Sequence, residues 1–180
     1  ELEKHKIINI STEEWQQIRI EAEAKSRKGE VNAETNLNRI YSFIPDEVFC
    51  RKCDKDLAYE KEIELEKHYI QVVPIMYELI QHLNRAGVNV CFTSDMYLPE
   101  EILKSWINQK VQIDFPYNLF VSSTYNKNKY FGHLYDVVKA SYTIKPNTNL
   151  FHIGDSQHSD VNTAIKFGFK GILYDGVYPN

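Results

Sequence analysis

Several features are scarce in this chain, and each scarcity closes off a class of protein. Seven glycines and six prolines in 180 residues leave no low-complexity linker, and no internal repeat is visible. No apolar run approaches the length that crosses a bilayer. Basic residues are not in excess: 21 Lys and Arg stand against 25 Asp and Glu, a net charge of −4. With the signs mixed along the chain, no positive field invites nucleic acid or an anionic membrane. Three cysteines, Cys50, Cys53 and Cys91, are too few and too irregular for a disulfide framework. Cys50-Arg51-Lys52-Cys53 has the spacing of half a zinc site, but no second pair accompanies it. A redox motif would follow a strand and open a helix, whereas this pair sits beside Asp54 in a polar connection. The thiols read as ordinary reduced thiols of a cytoplasmic protein. The opening Glu1-Leu2-Glu3-Lys4 is unlike a signal peptide and lacks an initiating Met, so it reads as a trimmed product or an excerpt. What is present is apolar area. Apolar residues are 43% and aromatics 13% of the chain, enough to bury a core in one domain or in a core with a small appended part.

The pattern divides into a helical first part and an alternating second part. Ser11-Thr12-Glu13-Glu14 reads as a capping box, with Trp15, Ile18 and Ala22 following at helical spacing. That helix should fade near Lys28-Gly29. A second should begin around Asn32 to Thr35, carry Leu37, Ile40, Tyr41 and Ile44, and stop at Pro45. Asp54 is placed to cap a third, which carries Leu57, Ile63, Leu65 and Tyr69. Pro74 suits the first turn of a helix from Ile75 to Arg85, closed by Gly87. From there the period changes. Val88 to Thr93 reads as a short buried strand, and Leu119 to Val121, Leu150 to Ile153 and Gly171 to Tyr174 as further strands. Helices from Pro99 to Gln109, Tyr130 to Ala140 and Val161 to Phe167 alternate with them. Such alternation predicts a parallel, helix-covered sheet.

Ligands of an open parallel sheet bind beyond the carboxyl ends of its strands. After the first strand comes Thr93-Ser94-Asp95-Met96-Tyr97-Leu98. After the second comes Ser122-Ser123-Thr124, leading to Lys127 and Lys129. After the third comes Gly154-Asp155-Ser156-Gln157-His158-Ser159-Asp160. One edge thus gathers hydroxyls, a lysine and carboxylates, the parts of a phosphate and divalent-metal site. Carboxylates are the hard ligands magnesium takes beside a phosphate. Hydroxyls can donate to phosphoryl oxygens, and a lysine offsets the charge on a transferring group.

In this order the set resembles the haloacid-dehalogenase (HAD) superfamily. Val90-Cys91-Phe92-Thr93-Ser94 matches its second motif, with the hydroxyl placed at Ser94 and Thr93 as the fallback. Lys129 matches the third motif, and Leu150 to Asp160 the fourth, Gly-Asp followed after four residues by Asp. Ser94-Asp95-Met96-Tyr97-Leu98-Pro99 resembles a bacterial branch found with, or fused to, glycosyltransferases of surface-polysaccharide pathways. Arg19 to Glu23 and Glu64 to Glu66 resemble that branch's helical cap. The resemblance implies a Rossmann-like parallel sheet covered by helices, residues 73–180, with residues 1–72 as a helical cap that selects the substrate. It implies a magnesium-dependent phosphomonoester hydrolase of a sugar phosphate or other small metabolite. Ser94, Lys129, Asp155 and Asp160 would be catalytic, with Asp155 and Asp160 toward Mg2+. Thr93, Asp95, Ser156 and His158 would lie against substrate.

One motif is missing. The family's nucleophile is the first Asp of an Asp-x-Asp ending an apolar strand ahead of the cap, and Ile7-Ile8-Asn9-Ile10 has no carboxylate after it. Asp54-Lys55-Asp56 is preceded by Arg51-Lys52-Cys53, too charged for a central strand. The nucleophile therefore belongs to a strand upstream, or the chain is a non-catalytic module of a glycosyltransferase, serving binding or assembly. Without that strand the sheet would have two unpaired edges. A receiver-like signalling domain is disfavoured by the helical first 70 residues. Plainer readings apply residue by residue. Asp155 and Asp160 could cap a helix, Lys129 could be solvated, and Asp95 could cap the following helix. His152 reads as a packed core histidine, and the Tyr41, Tyr59, Tyr69 and Tyr77 series as helix packing.

Overall fold

Ser11 opens the first helix, α1 (Thr12–Ser26), by the reciprocal bonds its spacing predicts. The Ser11 hydroxyl accepts from the Glu14 amide (3.2 Å), and the Glu14 carboxylate accepts from the Ser11 amide (2.9 Å). The computed structural model describes residues 2–3, 5–27 and 34–176. The expected fading at Lys28-Gly29 and the expected start of the next helix at Asn32 lie outside them. Among the described residues that helix, α2 (Leu37–Ser42), starts from Asn36, whose side chain accepts from the Arg39 amide. Leu37, Ile40, Tyr41 and Ile44 are all buried, Ile44 just beyond the helix.

The third helix, α3 (Asp54–Tyr69), corrects one expectation: Cys53 is its N-cap and Asp54 its first residue. The Asp54 carboxylate turns back to Arg51, pairing with its guanidinium (Nη2–Oδ1 2.8 Å). Glu62 of α3 accepts from Arg19 (2.6 Å) and from the Tyr41 hydroxyl (3.0 Å), tying α1, α2 and α3 together. Tyr41 and Tyr59 meet edge to face at 5.2 Å, while Tyr69 is exposed, so only part of the tyrosine series packs. Ile7 and Ile8 are buried, and Ile8 makes one antiparallel bridge with Phe49.

The chain divides into two units, Glu1–Ile70 and Gln71–Asn180. In the second, α4 (Pro74–Arg85) ends in a left-handed Gly87, with the Val88 amide on the Leu83 carbonyl and the Gly87 amide on Asn84. Val88 is thus spent on closing α4, and the first strand, β1 (Cys91–Ser94), starts later than Val88. It pairs in parallel with β2 (Asn118–Val121), Cys91 opposite Asn118 and Ser94 opposite Val121. Between them runs α5 (Glu100–Val111), with Leu103 and Trp106 buried. A short helix the periodicity did not foretell, α6 (Ser122–Tyr125), follows β2 directly.

Next comes α7 (His133–Ala140), three residues later than the expected Tyr130 because residues 128–132 form a turn through Gly132 at φ +91°. The third strand, β3 (Phe151–Gly154), pairs in parallel with β4 (Lys170–Leu173). The expected helix Val161 to Phe167 is instead a π-helical turn, Gln157–Thr163, running into α8 (Ala164–Lys166). The protein is therefore mixed α/β, with two two-stranded parallel sheets among the described residues. Phe120 of β2, Leu134, Tyr135 and Val138 of α7, Ala164 of α8 and Phe169 form a core against α7. Among the described residues no helix is long and apolar enough to cross a membrane.

Replacing Ser11 with Ala removes the hydroxyl half of the capping box, leaving the backbone N–H of residue 11 on Glu14, and should cost about 1 kcal/mol of stability. Urea denaturation of the two proteins side by side checks the value; no change in midpoint would mean the cap carries nothing.

Candidate functional site

All of the residues singled out from the strand ends lie in the second unit, and the turn that carries Lys129 organises most of them. After α6 the chain reverses through Asn126 at φ +51°. The Asn128 side chain then accepts from the Phe131 amide (2.8 Å), and its carbonyl from the Leu134 amide (3.1 Å). This turn presents Lys129 in two directions. Its backbone N–H donates to both oxygens of Asp95, the residue after β1 (2.9 and 3.1 Å). Its amine donates to Oδ1 of Asp160, in the segment after β3 (2.6 Å). One residue therefore links the carboxyl end of β1 with the loop beyond the carboxyl end of β3.

Asp160 is 1% exposed, and a buried carboxylate needs donors for its lone pairs. It has them. Oδ1 takes the Lys129 amine and lies 2.9 Å from Nε2 of His152 on β3. Oδ2 accepts from the Ser156 amide (3.0 Å). The Ser156 hydroxyl in turn caps the π-helical turn at the Ser159 amide (3.1 Å). Burial alone pushes the Asp160 carboxyl up. The hydrogen bonds from His152 and Lys129, the lysine's charge and the Ser156 amide outweigh it and hold the carboxyl far below the usual range. Gly154 makes this possible, since a Cβ there would overlap the Asp160 carboxylate. Beneath, the Tyr135 hydroxyl donates to the Ser159 carbonyl (2.8 Å). Its own pKa is pushed well up, first by burial and then by the negative charges of Asp160 and Asp95.

His152 is the residue that reading by type undervalued. It does pack edge-on against Tyr135, ring centroids 5.1 Å apart, as a core histidine would, but its free nitrogen reaches the site carboxylate. The signal was in the spacing: His152 and Gly154 share a strand face, and Gly154 is where Asp160 approaches.

The remaining candidates are placed as follows. Ser94 and Thr93 end β1, half-buried, and Asp155 follows β3, exposed. The two carboxylates expected to share a metal thus sit in different settings, one open to water and one sealed with both oxygens engaged. Among the described residues no three His, Cys, Asp or Glu side chains gather as a metal site. Ser122 and Ser123 at the end of β2 donate to the Met96 and Leu98 carbonyls (3.5 and 2.8 Å), bracing the loop that holds Asp95. His158 is exposed and reaches the Tyr130 carbonyl (3.2 Å). Cys50 and Cys53 are exposed free thiols in the first unit.

Removing the amine by Lys129→Met strands a buried carboxylate and should destabilise the protein by about 3–5 kcal/mol. The double change Lys129→Met with Asp160→Leu should recover most of the loss in urea melts; an additive double would overturn the pairing. The pH dependence has a definite sign. The folded carboxyl lies below its ordinary 3.8, so the stabilisation is fully present above that pH and is lost as pH falls toward the folded value. Asp160→Asn should flatten the acid limb of stability against pH, as followed by thermal melts between about pH 2 and 6.

Compared with known proteins, the chain matches no family model and no curated protein sequence, so the arrangement of its own residues carries the functional argument.

Proposed function

We propose that this chain forms the phosphate-binding core of a HAD-type phosphomonoester hydrolase that works with magnesium through an aspartyl-phosphate. The observation that supports the reading is the double hold on Lys129: Asp95 after β1 grips its backbone, and Asp160 after β3 grips its amine. A charge fixed where two parallel sheets end is suited to a phosphoryl group.

The reading requires the two sheets to belong to one. Parallel crossovers are right-handed. Phe120 packs with α7, so Leu119 and Val121 point to the opposite face of β2. With helices on opposite faces, α7 brings the chain back past β1, and the order becomes β2, β1, β3, β4. Among the described residues β1 is hydrogen-bonded to β2 alone and β3 to β4 alone. Helix α4 has no buried residue, although Met76, Leu79, Ile80 and Leu83 fall on one side of it. A parallel strand seated between β1 and β3 would complete a Rossmann-like sheet, cover both edges and give α4 a surface to pack on. It would also bring the nucleophilic Asp to the right edge.

In that mechanism a carboxylate oxygen of the upstream motif's first Asp attacks phosphorus, the bond to the alcohol oxygen breaks, and the alcohol leaves with a proton given by that motif's second Asp. Water, giving a proton back to the second Asp, then attacks the acyl phosphate, releasing phosphate and restoring the carboxylate. Ser94 and Lys129 would hold phosphoryl oxygens, with Asp160 and His152 fixing the lysine. Thr93, Ser156 and His158 would flank the substrate. Magnesium binds through one or two carboxylates together with substrate phosphate and water. Exposed Asp155 fits as one such ligand, and the nucleophile strand would supply another. When bound, the ion would neutralise charge on the phosphoryl oxygens. Asp160, with both oxygens engaged, fits the orienting role better than direct ligation. The substrate would be a sugar phosphate or another small metabolite of surface-polysaccharide synthesis, with a glycosyltransferase as partner.

A second reading is a non-catalytic module attached to such a transferase. It is favoured by the fate of the one Asp-x-Asp, Asp54-Lys55-Asp56, which lies in the first turn of α3 with Asp54 buried against Arg51. The deciding experiment is phosphate release from a panel of phosphomonoesters, with and without magnesium. It compares this chain with a form extended upstream through one further strand. The expected result is magnesium-dependent turnover by the extended form alone, abolished by Asp155→Asn. No turnover and no magnesium binding by either form would sink the hydrolase and leave the module. The extension should also raise the melting temperature and slow amide exchange in β1 and β3; unchanged exchange there would remove the case for a shared sheet.

A further inference from the structure

Next to the sealed lysine the chain holds aromatic rings out in water. Tyr130 and Phe131 are 55% and 46% exposed, and His158 is exposed beside them. Their backbone is well tied. The Phe131 amide donates to the Asn128 side chain (2.8 Å), and the Gly132 amide to the Lys129 carbonyl (3.0 Å). The Tyr130 carbonyl accepts from the Thr163 hydroxyl (3.4 Å) and from Nε2 of His158 (3.2 Å). A carbonyl can only accept, so Nε2 of His158 carries its hydrogen in this contact. The imidazole lies over the Tyr130 ring with centroids 4.4 Å apart and planes 39° from parallel. Tyr130 and Phe131 meet edge to face at 5.0 Å. Two segments are thus laced rung by rung: Lys129 to Asp160, then Tyr130 to His158.

Rings left in water add little to folding, because the gain comes from the apolar area removed from it. Held by a fixed backbone, they lose little more freedom when something flat is laid on them. Both aromatic ligands and the C–H face of a sugar ring are flat in this sense. Resting on the phosphate-site reading above, we infer that Tyr130, Phe131 and His158 form a platform for a ring in the alcohol part of the substrate. The phosphoryl group would lie at Lys129 and the ring on the aromatic side chains one residue along. The substrate class is then a phosphate monoester bearing a ring, as opposed to a short open-chain phosphate.

The test is a set of NMR titrations of this chain with glycerol phosphate, a hexose phosphate and a nucleoside monophosphate. It follows the Lys129 side chain and the ring protons of Tyr130 and His158. At least one ring-bearing ester should bind about three- to tenfold tighter than glycerol phosphate and shift the ring protons. Which of the two does so identifies the ring. Tyr130→Ala should erase that preference and leave glycerol phosphate binding unchanged, and Tyr130→Phe should keep the preference. Loss of the preference in Tyr130→Phe as well would overturn stacking as its source. Equal binding of all three esters at Lys129, indifferent to Tyr130→Ala, would overturn the platform while leaving the phosphate site standing. No shift at Lys129 with any ester would overturn the phosphate site and the platform with it.

Discussion

A carboxylate removed from water costs several kcal/mol unless its lone pairs are met by donors, and the more completely they are met the more narrowly its surroundings are fixed. Asp160 is in that position. Its demand for the Lys129 amine, the His152 ring and the Ser156 amide dictates that position 154 be glycine. It also dictates that the segment after β3 coil tightly enough to present a backbone N–H, and that the turn at residues 128–132 reach across from β2. Tyr135 closes the arrangement from below through the Ser159 carbonyl. Each of these features looks local in sequence; together they are the coordination of one buried charge.

How much of this could be read in advance depended on how local its cause was. The capping box at Ser11 and the glycine end of α4 involve residues a few positions apart, and both appear as their spacing foretold. The parallel alternation after residue 88 was legible because short apolar runs between turn residues have few other uses. Boundaries shifted where a residue had a second employment. Val88 closes α4 through its amide instead of entering β1. Asp54 pairs with Arg51 instead of capping α3. A π-helical turn over Gln157–Thr163 takes up the start of the helix expected from Val161.

The site was legible by residue type and largely illegible by partnership. Hydroxyls, a lysine and carboxylates at strand ends could be picked out, but nothing in the sequence says that Lys129 is gripped at both its amide and its amine. Nor does it say that Asp95 is one of the holders, or that His152 turns its free nitrogen toward Asp160. Those contacts span 34, 31 and 8 positions, and only the fold brings them together. The reading of His152 as packing and the geometry that adds a polar task to it are compatible, because a strand residue can present one ring edge to the core and the other to a site.

The double hold on Lys129 also changes when disorder is surrendered. A lysine side chain free in water samples many rotamers, and ordering it costs up to about 2 kcal/mol. On the open surface of a protein that entropy would be lost each time an anion arrived, weakening every encounter. Here the amine is already immobilised against Asp160 at 2.6 Å, so the loss is incurred once, at folding. An incoming anion would meet a fixed charge at the cost of sharing it with a carboxylate that already has other donors. The trade exchanges raw attraction for constancy of position, which would favour discrimination by shape over tight holding for any anion that binds there.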